Sequence, residues 1–171
     1  MTRLLRERTA CFTGHRTVPA QVAARLAEHL EKQIEFLYEK GITDYLAGGA
    51  KGFDALAAAT VLKLRDTSLP DIRLILTLPC PDQYKTWGEL DIALHQEIRR
   101  RADGIITLSD EYYDGCMLVR NRYMVDNSLV CVAYYNGTRN GGGTYHTAAY
   151  CRHQGVLLVN LYETLNGTAD F

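Results

Sequence analysis

Residues 42–65 read ITDYLAGGAKGFDALAAATVLKLR and place a β-type apolar run, a glycine-rich loop and a helical pattern one after another. Glycine at a strand-to-helix turn allows a positive φ and a close approach of the backbone to a ligand. The helix that follows such a loop offers unpaired N–H groups and a partial positive charge. The stretch therefore predicts a βα unit whose loop, residues 48–54, is suited to an anion.

Two further glycine-centred loops lie where an apolar run gives way to a helical pattern. They are Thr13-Gly14-His15-Arg16 and Gly141-Gly142-Gly143-Thr144. A single loop of this kind is weak evidence for an anion site. Three of them on successive βα units indicate a phosphate-bearing ligand that lies across the ends of several strands.

The order of elements along the chain alternates between strand and helix. Thr17 is expected to cap the first helix, with Pro19 in its first turn and Gly41 as its stop. Nearly continuous apolar strands separated by helices indicate a parallel sheet with both faces covered. We therefore predict one α/β domain over residues 1–171, a three-layer sandwich with a core at about 9–161 and a mostly parallel sheet of about six strands. The strands are predicted at 9–13, 42–47, 72–78, 104–108, 129–135 and 156–161, and the later helices at 53–65, 87–101, 117–127 and 144–153.

Composition is that of an ordinary globular protein, with 47% hydrophobic and 23% charged residues and a formal charge of −1. This charge gives no overall attraction to nucleic acid or to an anionic membrane. The basic N-terminus lacks the apolar core of a signal peptide, and no apolar run reaches membrane-spanning length. Five scattered cysteines without a Cys-x-x-Cys pair predict buried free thiols in a reducing cytoplasm, and no metal or cofactor is expected. These cysteines are Cys11, Cys80, Cys116, Cys131 and Cys151.

The loop at residues 48–54 is the strongest local signal. Gly48 and Gly49 allow a tight turn, and Gly52 allows a close approach. Lys51 supplies a mobile positive charge, while Asp54 suits either helix capping or a ligand hydroxyl. The pattern matches neither a Walker loop nor Gly-x-Gly-x-x-Gly. The alternative interpretation is a tight βα turn with no ligand.

Cationic side chains follow the first strand and precede the fifth. Arg16 could bind a phosphate through its guanidinium, and His15 could donate to a phosphate or act in acid–base chemistry. Arg120 and Arg122 cannot share one helical face, so we expect one to face the ligand and the other to form an ion pair. Asn121 between them suits a base or a sugar. The alternative in each case is a solvated surface.

The third loop and three aromatic residues complete the candidate site. Glycines at 141–143 are costly in entropy unless the backbone needs them, and Thr144 could cap the following helix or bind a phosphate. Trp87, Tyr112 and Tyr113 could line a base pocket, although aromatic residues at such positions commonly belong to the core or the rim of a pocket.

Taken in order, four segments resemble the SLOG superfamily, and most of all its YpsA-like branch. They are Phe12–Arg16, Gly48–Asp54, Arg120–Arg122 and Gly142–Thr144. The superfamily includes the bacterial DNA-processing protein DprA and the LOG cytokinin-activating phosphoribohydrolases. The resemblance covers about residues 9–161 and implies a Rossmann-like fold with a pocket for a nucleotide or nucleotide-derived ligand.

By this resemblance, the glycines at 48, 49 and 52 bind phosphate, and Arg120 with Gly142, Gly143 and Thr144 completes the site. One departure from the phosphoribohydrolase pattern matters. Those enzymes carry Pro-Gly-Gly-x-Gly-Thr-x-x-Glu, and here Thr147 stands where the catalytic glutamate is expected. A threonine cannot act as a general base or stabilise an oxocarbenium ion as a carboxylate does.

Three functions follow as alternatives, and the sequence by itself identifies no catalytic residue. The first is binding of a phosphorylated nucleotide or nucleotide derivative by a sensor or accessory domain. The second is N-glycosidic or phosphoester cleavage, with Asp54, Asp82 or His15 replacing the missing glutamate. The third is single-stranded DNA binding, which the near-neutral charge disfavours. A homodimer formed through helices is expected, and no membrane partner.

Overall fold

The computed structural model describes residues 3–138 and 142–167 and contains a parallel sheet of six strands. The order of the strands is β4-β3-β2-β1-β5-β6, and every neighbouring pair runs parallel. The predicted α/β sandwich is therefore confirmed, and the sheet is wholly parallel within the described residues. The strands are β1 Thr9–Gly14, β2 Asp44–Ala47, β3 Arg73–Leu78, β4 Gly104–Thr107, β5 Val130–Tyr134 and β6 Leu157–Asn160.

Helices cover both faces of the sheet. The larger apolar cluster joins one face to α1, α2, α3 and α6, and the smaller cluster joins the other face to α4 and α5. The strands at the centre of the sheet are buried on both faces, which explains their continuous apolar runs. The helices are α1 Ala20–Glu39, α2 Phe53–Thr67, α3 Glu89–Arg101, α4 Cys116–Asp126, α5 Gly143–Gln154 and α6 Leu161–Leu165, and a short 3-10 helix spans Arg6–Arg8.

The first helix begins later than its sequence signals predicted. It starts at Ala20, and Pro19 occupies the N-cap position without a side-chain cap, so the prediction of Thr17 as the cap was wrong. Pro19 fixes its own φ and has no N–H, which suits the entry into a helix. The short helix α6 was not predicted. Asn160 caps it by accepting from the Tyr162 N–H at 3.2 Å.

The point where the chain reverses direction along the sheet lies between β1 and β5. From β1 the chain adds β2, β3 and β4 on one side, and it then returns to place β5 and β6 on the other. The helices after β1 and β5 pack on opposite faces, so a crevice opens between the carboxyl ends of these two strands. In open α/β sheets this crevice is the usual place for a ligand.

Two predictions about the wider chain can be compared with the structure. All five cysteines are buried and free, as expected for reduced thiols. Among the helices of the described residues, none has the length and apolar character needed to cross a membrane.

Candidate functional site

A cavity of about 540 Å³ opens at the carboxyl ends of β1, β2 and β5, beside α4 and the start of α5. Ten of the thirteen residues predicted to bind a ligand line this cavity. They are Gly14, His15, Arg16, Gly48, Asp54, Arg120, Asn121, Gly142, Gly143 and Thr144. Gly141, which belongs to the third predicted loop, lies outside the described residues.

The other three predicted residues, Gly49, Lys51 and Gly52, line a second cavity of about 470 Å³. This cavity lies between α2 and α3, on the far side of the loop at residues 48–52. Arg16 and Asp54 line both cavities, so the two adjoin. Sequence reasoning expected one site, and the structure divides the residues between two neighbouring cavities.

Asp54 closes the loop that precedes it. Its carboxylate is 6% exposed and accepts hydrogen bonds from the Gly48 N–H at 3.1 Å and the Ala50 N–H at 2.8 Å. Burial raises the pKa of Asp54, and the nearby Arg120 guanidinium and the loop N–H donors oppose that rise. The loop thus directs these N–H groups at its own carboxylate, as an anion-binding loop would direct them at a phosphate.

Two of the loop glycines are required by protein packing. A Cβ at Gly48 would lie 2.5 Å from Arg120 Nη1. Gly52 has a φ of +78°, and a Cβ there would lie closer than 3.0 Å to the backbone of Arg16. Gly52 thus allows a close approach, but the group that approaches is the chain after β1 rather than a ligand. The Phe53 N–H donates to the His15 carbonyl at 3.0 Å and joins the same two segments.

Arg120 and Arg122 have different roles. Arg120 is 5% exposed, and it donates to the carbonyls of Gly48 and, at 3.4 Å, Thr77. Burial lowers the pKa of Arg120, while Asp54 opposes the shift. Arg122 is exposed and lies over the Tyr150 ring at 5.5 Å. Neither arginine forms an ion pair within the described residues, so the predicted ion pair was wrong. Arg120 contacts backbone carbonyls instead, and Arg122 contacts an aromatic ring.

Asn121 presents a donor to the larger cavity. Its Oδ1 accepts from Arg120 Nε at 2.8 Å, which orients the amide and leaves Nδ2 on the other side. Nδ2 faces the first turn of α5, since a Cβ built on Gly143 would be 3.8 Å from it. Gly142 at the N-cap has no side chain with which to cap α5, and Thr144 lies inside the first turn. The prediction of Thr144 as the cap was therefore wrong.

A backbone hydrogen bond orients the ring of His15. Its Nε2 accepts from the Asn136 N–H at 3.0 Å, so in this arrangement the ring proton resides on Nδ1. The imidazole lies near Tyr134 and Tyr135, with ring centroids 6.0 and 5.9 Å away. The Asn136 N–H, in the loop after β5, thus occupies the Nε2 lone pair that His15 would need to accept a proton at this atom.

Some residues that shape the site had no signal in the sequence. Gln83 donates through Nε2 to the carbonyls of Gly48 and Gly49, at 3.0 and 3.1 Å. Asn160 accepts from the Tyr135 N–H at 3.0 Å and donates to its carbonyl at 2.8 Å, which anchors the segment after β5. Both side chains reach the site from strand ends distant in sequence.

The aromatic residues considered for a base pocket separate in the structure. Trp87 lines the second cavity. Tyr112 and Tyr113 are exposed and line neither cavity. Within the described residues, no group of three or more histidine, cysteine or acidic side chains is placed to hold a metal ion.

A solved structure has a similar architecture. The chain is similar to DNA processing protein A from Helicobacter pylori, described for its single-stranded DNA binding mode, with a TM-score of 0.61 and 18% identity over 96% of this chain and 75% of that one. At this identity the similarity establishes the fold alone.

Two bacterial relatives share more sequence. The UPF0398 protein BH1768 of Halalkalibacterium halodurans is 30% identical over 118 residues, which are 68% of this chain and 62% of that protein. The SPbeta prophage-derived protein YoqJ of Bacillus subtilis is 29% identical over 138 residues, or 74% of this chain and 80% of that protein. The chain thus spans about three fifths of the first relative's length. A family model, that of the YspA SLOG family (YpsA), matches residues 18–157. The resemblance seen in the four sequence segments is therefore confirmed, and the chain belongs to the YspA SLOG family.

Proposed function

We propose that this protein binds a phosphorylated nucleotide or nucleotide-derived ligand in the larger cavity, as a sensor or accessory domain. The observation that carries the proposal is the excess of hydrogen-bond donors around that cavity. Asn121 Nδ2 and His15 Nδ1 are donors, and the first turn of α5 leaves backbone N–H groups unpaired by the helix. A phosphate, which offers only acceptors at neutral pH, matches such a set.

Positive charge adds to these donors. Arg16 is exposed at the rim, and neither it nor Lys51 forms an ion pair with any residue in the described ranges. A guanidinium can bind a phosphate through two parallel hydrogen bonds. Arg120 is already committed to protein carbonyls, so Arg16 is the arginine available to a ligand at this cavity.

Cleavage of the ligand finds less support. Asp54 is the one carboxylate among the described residues lining the larger cavity, and loop N–H groups occupy both of its oxygens. Thr147, at the position of the catalytic glutamate of the phosphoribohydrolases, donates through Oγ1 to the Gly143 carbonyl at 2.9 Å. Both observations favour binding without turnover.

Titration calorimetry with AMP, ADP, ATP, GTP, NAD and ADP-ribose tests the proposal. Loss of a charge-assisted hydrogen bond costs about 1.5–3 kcal/mol, so we expect Arg16→Gln to weaken a bound nucleotide by about tenfold or more. Asn121→Ala is expected to weaken it as well. Arg122→Gln is the matched control, because it removes the same charge from an exposed position outside both cavities.

The outcomes separate the candidate functions. Binding that is lost in Arg16→Gln but kept in Arg122→Gln supports the proposal. Release of a free base or of phosphate during incubation with the bound nucleotide would establish cleavage in its place. No binding to any nucleotide, together with salt-sensitive binding of an oligothymidylate, would favour the single-stranded DNA alternative.

A further inference from the structure

The second cavity has the features of a binding site of its own. Its floor is apolar and is formed by small residues of α2 and by the strand and helix beside them. The floor residues are Ala55, Leu56, Ala58, Ala59, Leu76 and Ile98. Trp87 and Leu94 extend this surface towards solvent. A volume of about 470 Å³ is within the range of small-molecule pockets, about 300–1,000 Å³.

A buried acceptor is present in this cavity. His95 is 4% exposed, and its Nε2 has no hydrogen-bond partner among the described residues. Burial lowers the pKa of His95 and favours the neutral ring, in which one nitrogen is an acceptor. Tyr84 and Trp87 hold the imidazole, with centroids 4.8 and 5.6 Å away. An unpartnered acceptor in a cavity suits a ligand with an N–H donor.

The two cavities are joined at a cationic ridge. Arg16, Ala50 and Asp54 line both, and Lys51 lines the second. Asp54 is satisfied by the loop beneath this ridge, so the charge at the ridge is that of Arg16 and Lys51. The Asp91 carboxylate lines the second cavity away from the shared residues. The arrangement is a donor-rich cavity, a pair of cations, and a largely apolar cavity that also contains Trp87, His95 and Asp91.

We propose that the second cavity takes the second nucleoside of a dinucleoside pyrophosphate. The first nucleoside occupies the larger cavity, and the pyrophosphate lies over the ridge at Arg16 and Lys51. His95 Nε2 accepts from the exocyclic amine of the second base, and Trp87 contacts the base. This inference rests on the proposed nucleotide binding and specifies the class of ligand.

Calorimetry with ADP and with diadenosine diphosphate tests this inference. Both ligands carry one pyrophosphate, and only diadenosine diphosphate carries a second adenosine. Stacking of a base on an aromatic side chain contributes about 1–3 kcal/mol, so we expect diadenosine diphosphate to bind about tenfold more tightly or better. ADP carries the greater negative charge at neutral pH, so charge alone would give the opposite order.

Ala59→Leu fills the second cavity from a partly exposed position on α2. We expect this variant to bind ADP as the wild type does and to lose the advantage of diadenosine diphosphate. Ala24→Leu makes the same change on the exposed face of α1, outside both cavities, and is the control. Circular dichroism and the melting temperature confirm that the variants are folded.

Three results would overturn the inference. Equal affinities of the two ligands for the wild type would show that the second cavity takes no nucleoside, while nucleotide binding at the larger cavity would stand. An advantage that survives in Ala59→Leu would place the second adenosine elsewhere. Failure of both ligands, with no other nucleotide bound, would remove the proposed function and this inference with it.

Discussion

Arg120 is expected to support the structure of the site, and Arg120→Met tests this directly. Its guanidinium donates to the carbonyls of Gly48 and Thr77, and its charge opposes the rise in the pKa of the buried Asp54. Methionine has a long apolar side chain that can occupy much of the same space. The substitution therefore removes the hydrogen bonds and the charge with a limited change in packing.

The magnitude follows from these contacts. Hydrogen bonds that involve a charged group contribute about 1.5–3 kcal/mol each, and the variant loses those to Gly48 and Thr77. It also loses the positive charge that opposes the rise in the pKa of the buried Asp54. Partial protonation of Asp54 would relieve part of that cost, since burial already raises its pKa. We expect the free energy of unfolding to fall by about 3–4 kcal/mol. A typical domain is stable by about 5–15 kcal/mol, so the variant should still fold.

Urea unfolding followed by circular dichroism measures the change, with Arg122→Met as the matched control in the same helix. Arg122 is exposed and contacts the Tyr150 ring, an interaction worth about 0.5–1 kcal/mol. The two variants should therefore differ in their free energies of unfolding by about 2 kcal/mol or more. A difference below about 1 kcal/mol would refute the reasoning.

The remaining predictions concern the loop and the second cavity. Gly52→Ala should lower the free energy of unfolding by at least about 3 kcal/mol, because overlap with the backbone adds to the strain of a positive φ. Gly155 also has a positive φ but lies in open space, so Gly155→Ala should lower the free energy of unfolding by about 1–2 kcal/mol in the same urea experiment. Equal losses in Gly52→Ala and Gly155→Ala would contradict the packing argument. Asp54→Asn leaves one loop N–H without an acceptor and should cost about 1–3 kcal/mol, seen as a lower melting temperature; an unchanged value would show that the loop does not depend on the carboxylate. Burial, followed by the charge of Arg99, lowers the pKa of His95 below its usual value of 6.5. Just below pH 6.5 the unfolded chain therefore binds more protons than the folded chain. The contribution of neutral His95 to the free energy of unfolding is complete above that pH and declines as the pH falls. His95→Phe should therefore lose less stability than the wild type between about pH 7 and 5.5, and equal losses would disprove the assignment.

The sequence by itself determined the architecture of this protein. Alternating apolar runs and helical periods predicted a parallel sheet between two helical layers, because each pattern depends on spacing along a few neighbouring residues. The same local signals located the glycine loops at strand ends, and parallel strands bring their carboxyl ends to one edge. The convergence of Gly14, Gly48 and Gly143 on one cavity could therefore be expected from the sequence.

Only the tertiary structure decided the role of each side chain at that edge. Asp54 and Arg120 are both polar residues in segments expected to face a ligand, yet both bind the backbone of the protein itself. Gln83 and Asn160 reach the loops from distant strand ends, and no local pattern signals such contacts. The division into two cavities likewise depends on how α3 packs beside α2. Hydrogen-bond partners and packing distances are set by segments far apart in the chain, and therefore spacing within one segment cannot specify them.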